Sequence, residues 1–376
     1  MTAAPVSPEL LGPALLPFGE GTMMPATAYT SEEVLAWERR HLFAGSWTCV
    51  GRVEAVFDGG ATQVATTVGD IRVVLARDAS GQVAAMANTC RHRGHELLPD
   101  GATSTRRAMV CPYHAWSYDL SGSLIAAPGF QEVASFDPAA HGLVRLPVEV
   151  WHGWVFVNAL GDAAPFAEHV GGLTGLVAPY RPEVLVRREV HEYVVRANWK
   201  VITENYHECY HCPLIHPELC AVSPPASGDN FDLPGAWVGG TMDLRDDAVT
   251  MSFDGHSDGR PIEGVDARTV LYLGLLPNLL LSLHPDYVMT HRMVPLSPGE
   301  TWVECAWYFP DADVDPAYAV EFWDTTNRQD WSACESVQRG LGSPHFSPGP
   351  LAPNEDAVHK FVTTVARAYR DGGLTV

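Results

Sequence analysis

The chain has 376 residues, 46% hydrophobic and 18% charged, with 45 acidic side chains against 24 basic ones and a formal charge of −21. That length admits two domains or one large one with a sizeable core, and the composition excludes a disordered, coiled-coil or collagen-like chain. The charge argues against binding to nucleic acid or an anionic membrane and leaves cationic or neutral ligands.

Residues 1–29, rich in Pro, Ala and Gly, read as an irregular arm. Thr30 with Glu33 forms a capping box for a helix through Glu38 to Phe43. From Trp47 to Val157 short alternating segments follow, at Arg72–Ala76, Ala108–Cys111, Leu146–Val150 and Trp154–Val157. Turn signals at Asp58-Gly59-Gly60 and Leu120-Ser121-Gly122 separate them, the pattern of an all-β module. Next come a strand at Arg187–Val195, a helix from Trp199 to His211 and an irregular Pro/Gly/Ser stretch from Ser223 to Gly240. Strands are expected at Thr269–Leu273, Leu279–Leu283, Tyr287–Val294 and Thr301–Phe309. A long helix from Pro316 to Arg339 stops at Gly340 in the C′ position, and a last helix spans Asn354 to Tyr369. Strands followed by long helices make the second region α+β.

The first apolar stretch lacks the basic n-region of a secretory signal. The longest uncharged apolar run, Thr269 to Leu283, is broken by Pro277 and too short to span a bilayer. A cytoplasmic setting is therefore expected, where thiols stay reduced. Sixteen histidines, about twice the usual number for such a chain, and eight cysteines then direct attention to metal.

Cys90-Arg91-His92 and Cys111-Pro112-Tyr113-His114 form C-x-H and C-x2-H pairs separated by 18 residues. Each half mixes a thiolate with an imidazole, whereas a zinc finger groups its cysteines and then its histidines. A mononuclear zinc site stays open at this point. Two interleaved pairs fit a [2Fe–2S] cluster better, two thiolates on one iron and two imidazoles on the other. Cys90-Arg91-His92-Arg93-Gly94 and Cys111-Pro112-Tyr113-His114-Ala115-Trp116 resemble the two cluster loops of the Rieske family. The resemblance implies Cys90 and Cys111 on one iron and His92 and His114 on the other.

A second constellation lies between Asn198 and Pro217, with His207, His211, His216, Glu204 and Glu208. His207 and His211 are i,i+4 and share a helical face. His211 and His216 lie about 140° apart around an ideal helix, but Pro213 biases Cys212 away from helical geometry and could let His216 fold back. Spacing alone leaves both pairs open. The segment resembles the catalytic-iron segment of Rieske non-haem iron oxygenase large (alpha) subunits, carboxylate-x2-His-x4-His, matched by Glu208, His211 and His216. The resemblance implies His211 and His216 as ligands of mononuclear Fe(II), Glu208 as the carboxylate linking that iron to the cluster of a neighbouring subunit, and Asn205 as a residue near the iron. Most members carry Asp where this chain has Glu208; Glu occurs in members acting on quaternary amines.

A facial triad needs a carboxylate besides two imidazoles. On the long helix Trp323, Asn327, Asp330, Cys334 and Val337 share one face, and a buried Asp330 requires a partner or a metal. The run Asp330 to Gln338 also resembles the family's third-ligand segment; Asp324 and Glu335 are the alternatives. Cys49, Cys209, Cys212, Cys220, Cys305 and Cys334 read as buried thiols, His284 and His291 as structural, and Trp237, Tyr272, Trp307 and Tyr308 as core aromatics. No dinucleotide fingerprint follows a strand, so electrons from NAD(P)H would need a separate reductase.

The expected architecture is an arm and helix (residues 1–45) belonging to the catalytic part, an all-β Rieske [2Fe–2S] domain (46–160) and a helix-grip catalytic domain, an antiparallel sheet with a long helix (161–376). The resemblance implies the oxygenase component of a Rieske system acting with O2, a ring-shaped homotrimer and a quaternary ammonium substrate such as glycine betaine, stachydrine, carnitine or choline. Aromatic-ring hydroxylation or natural-product tailoring is the runner-up. A plain electron carrier, the contrasting class, has no use for Glu208, His211, His216 and Asp330.

Overall fold

A computed structural model describes residues 2–374, in two compact units. One unit comprises Glu38–Phe166, the other Met1–Trp37 with Ala167–Val376.

The Glu38–Phe166 unit is all β apart from short turns. Its strands are β1 (Thr48–Arg52), β2 (Gln63–Val68), β3 (Ile71–Arg77), β4 (Val83–Ala87), β5 (Thr103–Ser104), β6 (Ala108–Val110), β7 (Ser117–Asp119), β8 (Leu124–Ala126), β9 (Arg145–Leu146), β10 (Val148–Trp151) and β11 (Trp154–Val157). They form antiparallel sheets in the orders β5-β2-β3-β4-β9, β1-β11-β10 and β6-β7-β8. Val73 and Leu75 join one cluster with Val155 and Val157, while Val74 and Ala76 join another with Cys90, Cys111, Trp116 and Tyr118. Alternation along β3 thus buries both of its faces. β1, β2 and β4 escape sequence reading because Gly51, Thr66 and Ala84–Ala85 dilute the alternation.

In the other unit, β12 (Val186–Val195), β13 (Trp237–Asp243), β14 (Thr269–Leu275), β15 (Leu279–Leu283), β16 (Val288–Ser297) and β17 (Glu300–Phe309) build one antiparallel sheet, ordered β12-β17-β16-β15-β14-β13. β13 corrects the expectation of an irregular stretch through Gly240: its glycines lower local strand propensity, and pairing along all of β14 overrides it. Cys305, Trp307 and Phe309, alternate residues of β17, pack with Met289 and with Ala319, Val320, Phe322 and Trp323 of the long helix. A helix laid across a sheet face is the α+β arrangement expected.

The helices used below are α1 (Glu32–Glu38), α2 (Trp199–Tyr206), α3 (Cys212–Ile215), α4 (Pro217–Val222), α5 (Ala317–Leu341) and α6 (Asp356–Asp371). Thr30 does not cap α1. Its hydroxyl donates back to Ala26 O, and Ser31 Oγ accepts from Val34 N instead. α5 runs through Gly340 to end at Gly342, which is right-handed; the helix therefore ends by a 3₁₀-type turn and not by a C′ glycine. The N-terminal arm is held down by Ala4 N donating to Tyr369 O and by burial of Leu11, Ala14 and Met24. Among the described residues no helix is long and apolar enough to cross a membrane.

Candidate active site

Cys90 and His92 lie on the loop after β4, Cys111 and His114 on the turn between β6 and β7. Backbone bonds close both loops tightly, Gly94 N to Cys90 O at 2.9 Å and Ala115 N to Cys111 O at 3.0 Å. The turns require a left-handed residue, supplied by Gly94 (φ 77°) and, less comfortably, by Ala115 (φ 58°). Both thiols are buried, and Tyr118 Oη lies 3.3 Å from Cys90 Sγ. The rings of His92 and His114 lie 4.7 Å apart, and His92 stacks on Trp116. Nδ1 of both histidines is buried without a hydrogen-bond partner. Orphaned imidazole nitrogens beside two buried thiols are the donor set a [2Fe–2S] group needs. The four side chains do not converge on one point as the ligands of a single zinc ion must; among the described residues only His211, His216 and Asp330 do so.

The second site is built by a broken helix. Asn198 caps α2, its side chain accepting from Lys200 N, and α2 ends at Tyr206, earlier than expected. Glu208 then turns the chain: its Oε2 accepts from Tyr210 N and, at 3.2 Å, from His211 N. Helix α3 restarts at Cys212, with Pro213 in its first turn. Pro213 therefore starts a helix here and does not terminate one, since its missing N–H is an orphan at that position anyway. These two breaks bring His211 and His216 together although an unbroken helix would part them.

His211 Nε2 lies 3.2 Å from His216 Nε2 and 3.3 Å from Asp330 Oδ1, and His216 Nε2 lies 2.8 Å from the same oxygen. Ligand atoms at right angles and about 2.1 Å from a metal ion are about 3 Å apart, so the three form one face of a coordination shell. His216 is 1% exposed and Asp330 17%, which leaves the far side accessible. His211 Nδ1–H donates to Glu208 Oε1 and His216 Nδ1–H to Gln329 Oε1, both at 2.6 Å, which frees each Nε2 for a metal. Burial alone would lower the His211 pKa, but the bonds and charges of Asp330 and Glu208 outweigh it and raise it to about 9. Asp330 is held low against the same burial by its two histidines. Asn205 Nδ2 is 3.4 Å from His211 Nε2.

The competing residues are used elsewhere. His207 is buried with Nε2 unpartnered beneath Gly274, where a Cβ would come within 2.3 Å of that nitrogen; only glycine fits. Asp324 accepts from Tyr193 and Arg328, and Glu335 from Arg196 N. Cys209 and Cys212 are not thiols but a disulfide, pinning the loop that carries Glu208 and His211. Gln329 was not anticipated, because an amide on a mixed helix face carries no metal signal of its own.

A cavity of about 550 Å³ opens on this group, walled by Tyr206, Tyr272, His291 and Trp323 and edged by Asp229 and Asp356. Tyr206 and Tyr272 have ring centroids 5.9 Å apart, Tyr272 and Trp323 6.2 Å. Tyr272 and His291 thus face a cavity, contrary to the core and structural roles expected of them. Trp307 and Tyr308 are core, as expected. His284, deeply buried, stacks on Tyr287.

Residues 46–137 match the Rieske [2Fe–2S] domain family, and residues 182–371, over half the chain, match the ring hydroxylating alpha subunit (catalytic domain) family. The chain belongs to the Rieske oxygenase alpha subunits. Alpha subunits of this kind are oxygen-incorporating oxidoreductases whose cofactors are a Rieske cluster and a non-haem iron, and the donor sets above fit both. The carnitine monooxygenase oxygenase subunit of Escherichia coli (strain K12) is 34% identical over 86% of this chain and 85% of its own length. The glycine betaine monooxygenase oxygenase subunit of Chromohalobacter salexigens is 29% identical over 88% and 81%. The quaternary ammonium Rieske monooxygenase CntA in complex with L-carnitine shares the fold, with a TM-score of 0.75, 24% identity and coverage of 97% of this chain and 99% of that one.

Proposed function

We propose that this alpha subunit hydroxylates or oxidatively N-demethylates a small quaternary ammonium compound with O2, using electrons from a separate NAD(P)H-dependent reductase. The observation that carries this reading is the triad of His211, His216 and Asp330 beneath a cavity that combines aromatic rings with carboxylates. Bound iron supplies open positions for O2, and the cluster supplies single electrons.

The roles of the protein follow from its own atoms. Nε2 of His211, Nε2 of His216 and the carboxylate of Asp330 would hold the iron. Glu208 and Gln329 fix the two imidazole tautomers, and Asn205 Nδ2 lies 3.4 Å from His211 Nε2. Cys90 and Cys111 would bind one cluster iron, and His92 and His114 the other. Tyr206, Tyr272 and Trp323 line the cavity, and an aromatic ring in contact with a cationic headgroup contributes about 0.5–2 kcal/mol. The carboxylates of the same wall make it a poor host for a neutral arene.

We further assign a ring-shaped homotrimer, in which Glu208 faces the cluster of a neighbouring subunit. Tyr210 and Leu214, 63% and 93% exposed on the segment that follows Glu208, are apolar surface that a subunit contact would cover.

Iron content tests the core of this reading. A fully loaded sample should hold about three irons per chain, two in the cluster and one in the triad; two would remove the mononuclear centre. His211→Ala should abolish O2-dependent turnover and leave the visible absorption of the cluster intact.

A further inference from the structure

The wall of the cavity is electrostatically one-sided. Among the described residues lining it, every permanently charged side chain is a carboxylate: Glu208, Asp229, Asp330 and Asp356. No lysine or arginine reaches it. The two histidines outside the triad add no positive charge. Burial pushes the His207 pKa down to about 3 and that of His291 to about 4. The two charges of a bound Fe(II) are matched by Asp330 and Glu208, so the iron does not reverse the sign of the site.

A quaternary ammonium group gains from the carboxylates and from the aromatic lining of Tyr206, Tyr272 and Trp323. A carboxylate on the same molecule would lose its hydration with no cationic partner and would face charges of its own sign. A neutral oxygen brings no charge of its own to be repelled and needs only one hydrogen bond.

We infer that the site selects a quaternary ammonium cation whose remaining polar group is neutral, such as an alcohol, over a zwitterion bearing a carboxylate. The inference rests on the quaternary ammonium reading given above.

Titration calorimetry on the cofactor-loaded full chain tests it with matched probes: choline, glycine betaine, and the neutral isostere of choline in which carbon replaces nitrogen. Choline is expected to bind at least about tenfold more tightly than either. Glycine betaine binding as tightly as choline overturns the charge selection and leaves the quaternary ammonium reading standing. The isostere binding as tightly as choline overturns both.

Discussion

Two side chains away from the triad have consequences that a ligand motif does not reveal. Gln329 Oε1 accepts from His216 Nδ1 at 2.6 Å, and its amide reaches Glu218 at 3.5 Å, so it fixes both the orientation and the tautomer of one ligand. Gln329→Leu should weaken iron binding about 10- to 100-fold, the usual consequence of losing such a partner. Competition with a chromophoric chelator measures this, and unchanged affinity would deny Gln329 the role. Glu204 is buried on α2 and accepts from Tyr29 Oη at 2.7 Å. Burial raises its pKa to about 8, against the opposing pull of Tyr29 and the Lys200 charge. The folded chain thus keeps a proton that the unfolded chain releases above its ordinary value of 4.5. Stability should fall as pH rises from there through about 8, by a few kcal/mol in all. Glu204→Gln should flatten that fall in a Tm-against-pH series, and an unaltered slope would show that Glu204 does not cause it.

At the scale of elements, the iron site depends on where helices stop. α2 ends at Tyr206 and α3 begins at Cys212, and the five residues between carry Glu208 and His211. The Cys209–Cys212 disulfide clamps that connection. Cys209→Ser with Cys212→Ser should loosen the Glu208–His211 pairing, lowering the mononuclear iron occupancy while the cluster absorption persists. Retention of the third iron through dialysis would show the clamp to be dispensable. The two strands Trp154–Val157 and Leu279–Leu283 coincide with their sequence expectation, because short apolar runs between turn residues have few alternatives. β13 was hidden because its glycines do not declare a strand until β14 supplies the ladder.

For the whole molecule, the exposed Tyr210 and Leu214, on the segment that follows Glu208, are the features that connect one chain to its neighbours in the proposed trimer. Leu214→Glu should shift sedimentation from the mass of three chains towards that of one, and should reduce turnover without removing iron. A native mass equal to one chain in the unaltered protein would end the trimer assignment. The charge of −21 does not choose a substrate by itself; its consequence is local, in the carboxylates gathered on the cavity wall.

The sequence by itself determined the two metal-binding segments, the all-β module with an α+β partner, and the family, because ligand spacing and strand alternation are local and survive in one dimension. Spacing alone left open the choice between His207 and His216; the family resemblance pointed to His216 and to Asp330 but not to how they meet. The tertiary structure supplies that geometry: His216 and Asp330 come together across 114 residues, and His207 lies beneath Gly274. The same holds for Gln329, for the Cys209–Cys212 bond and for Tyr272 on the cavity wall. Each depends on which side chains packing brings together, and no local pattern encodes that.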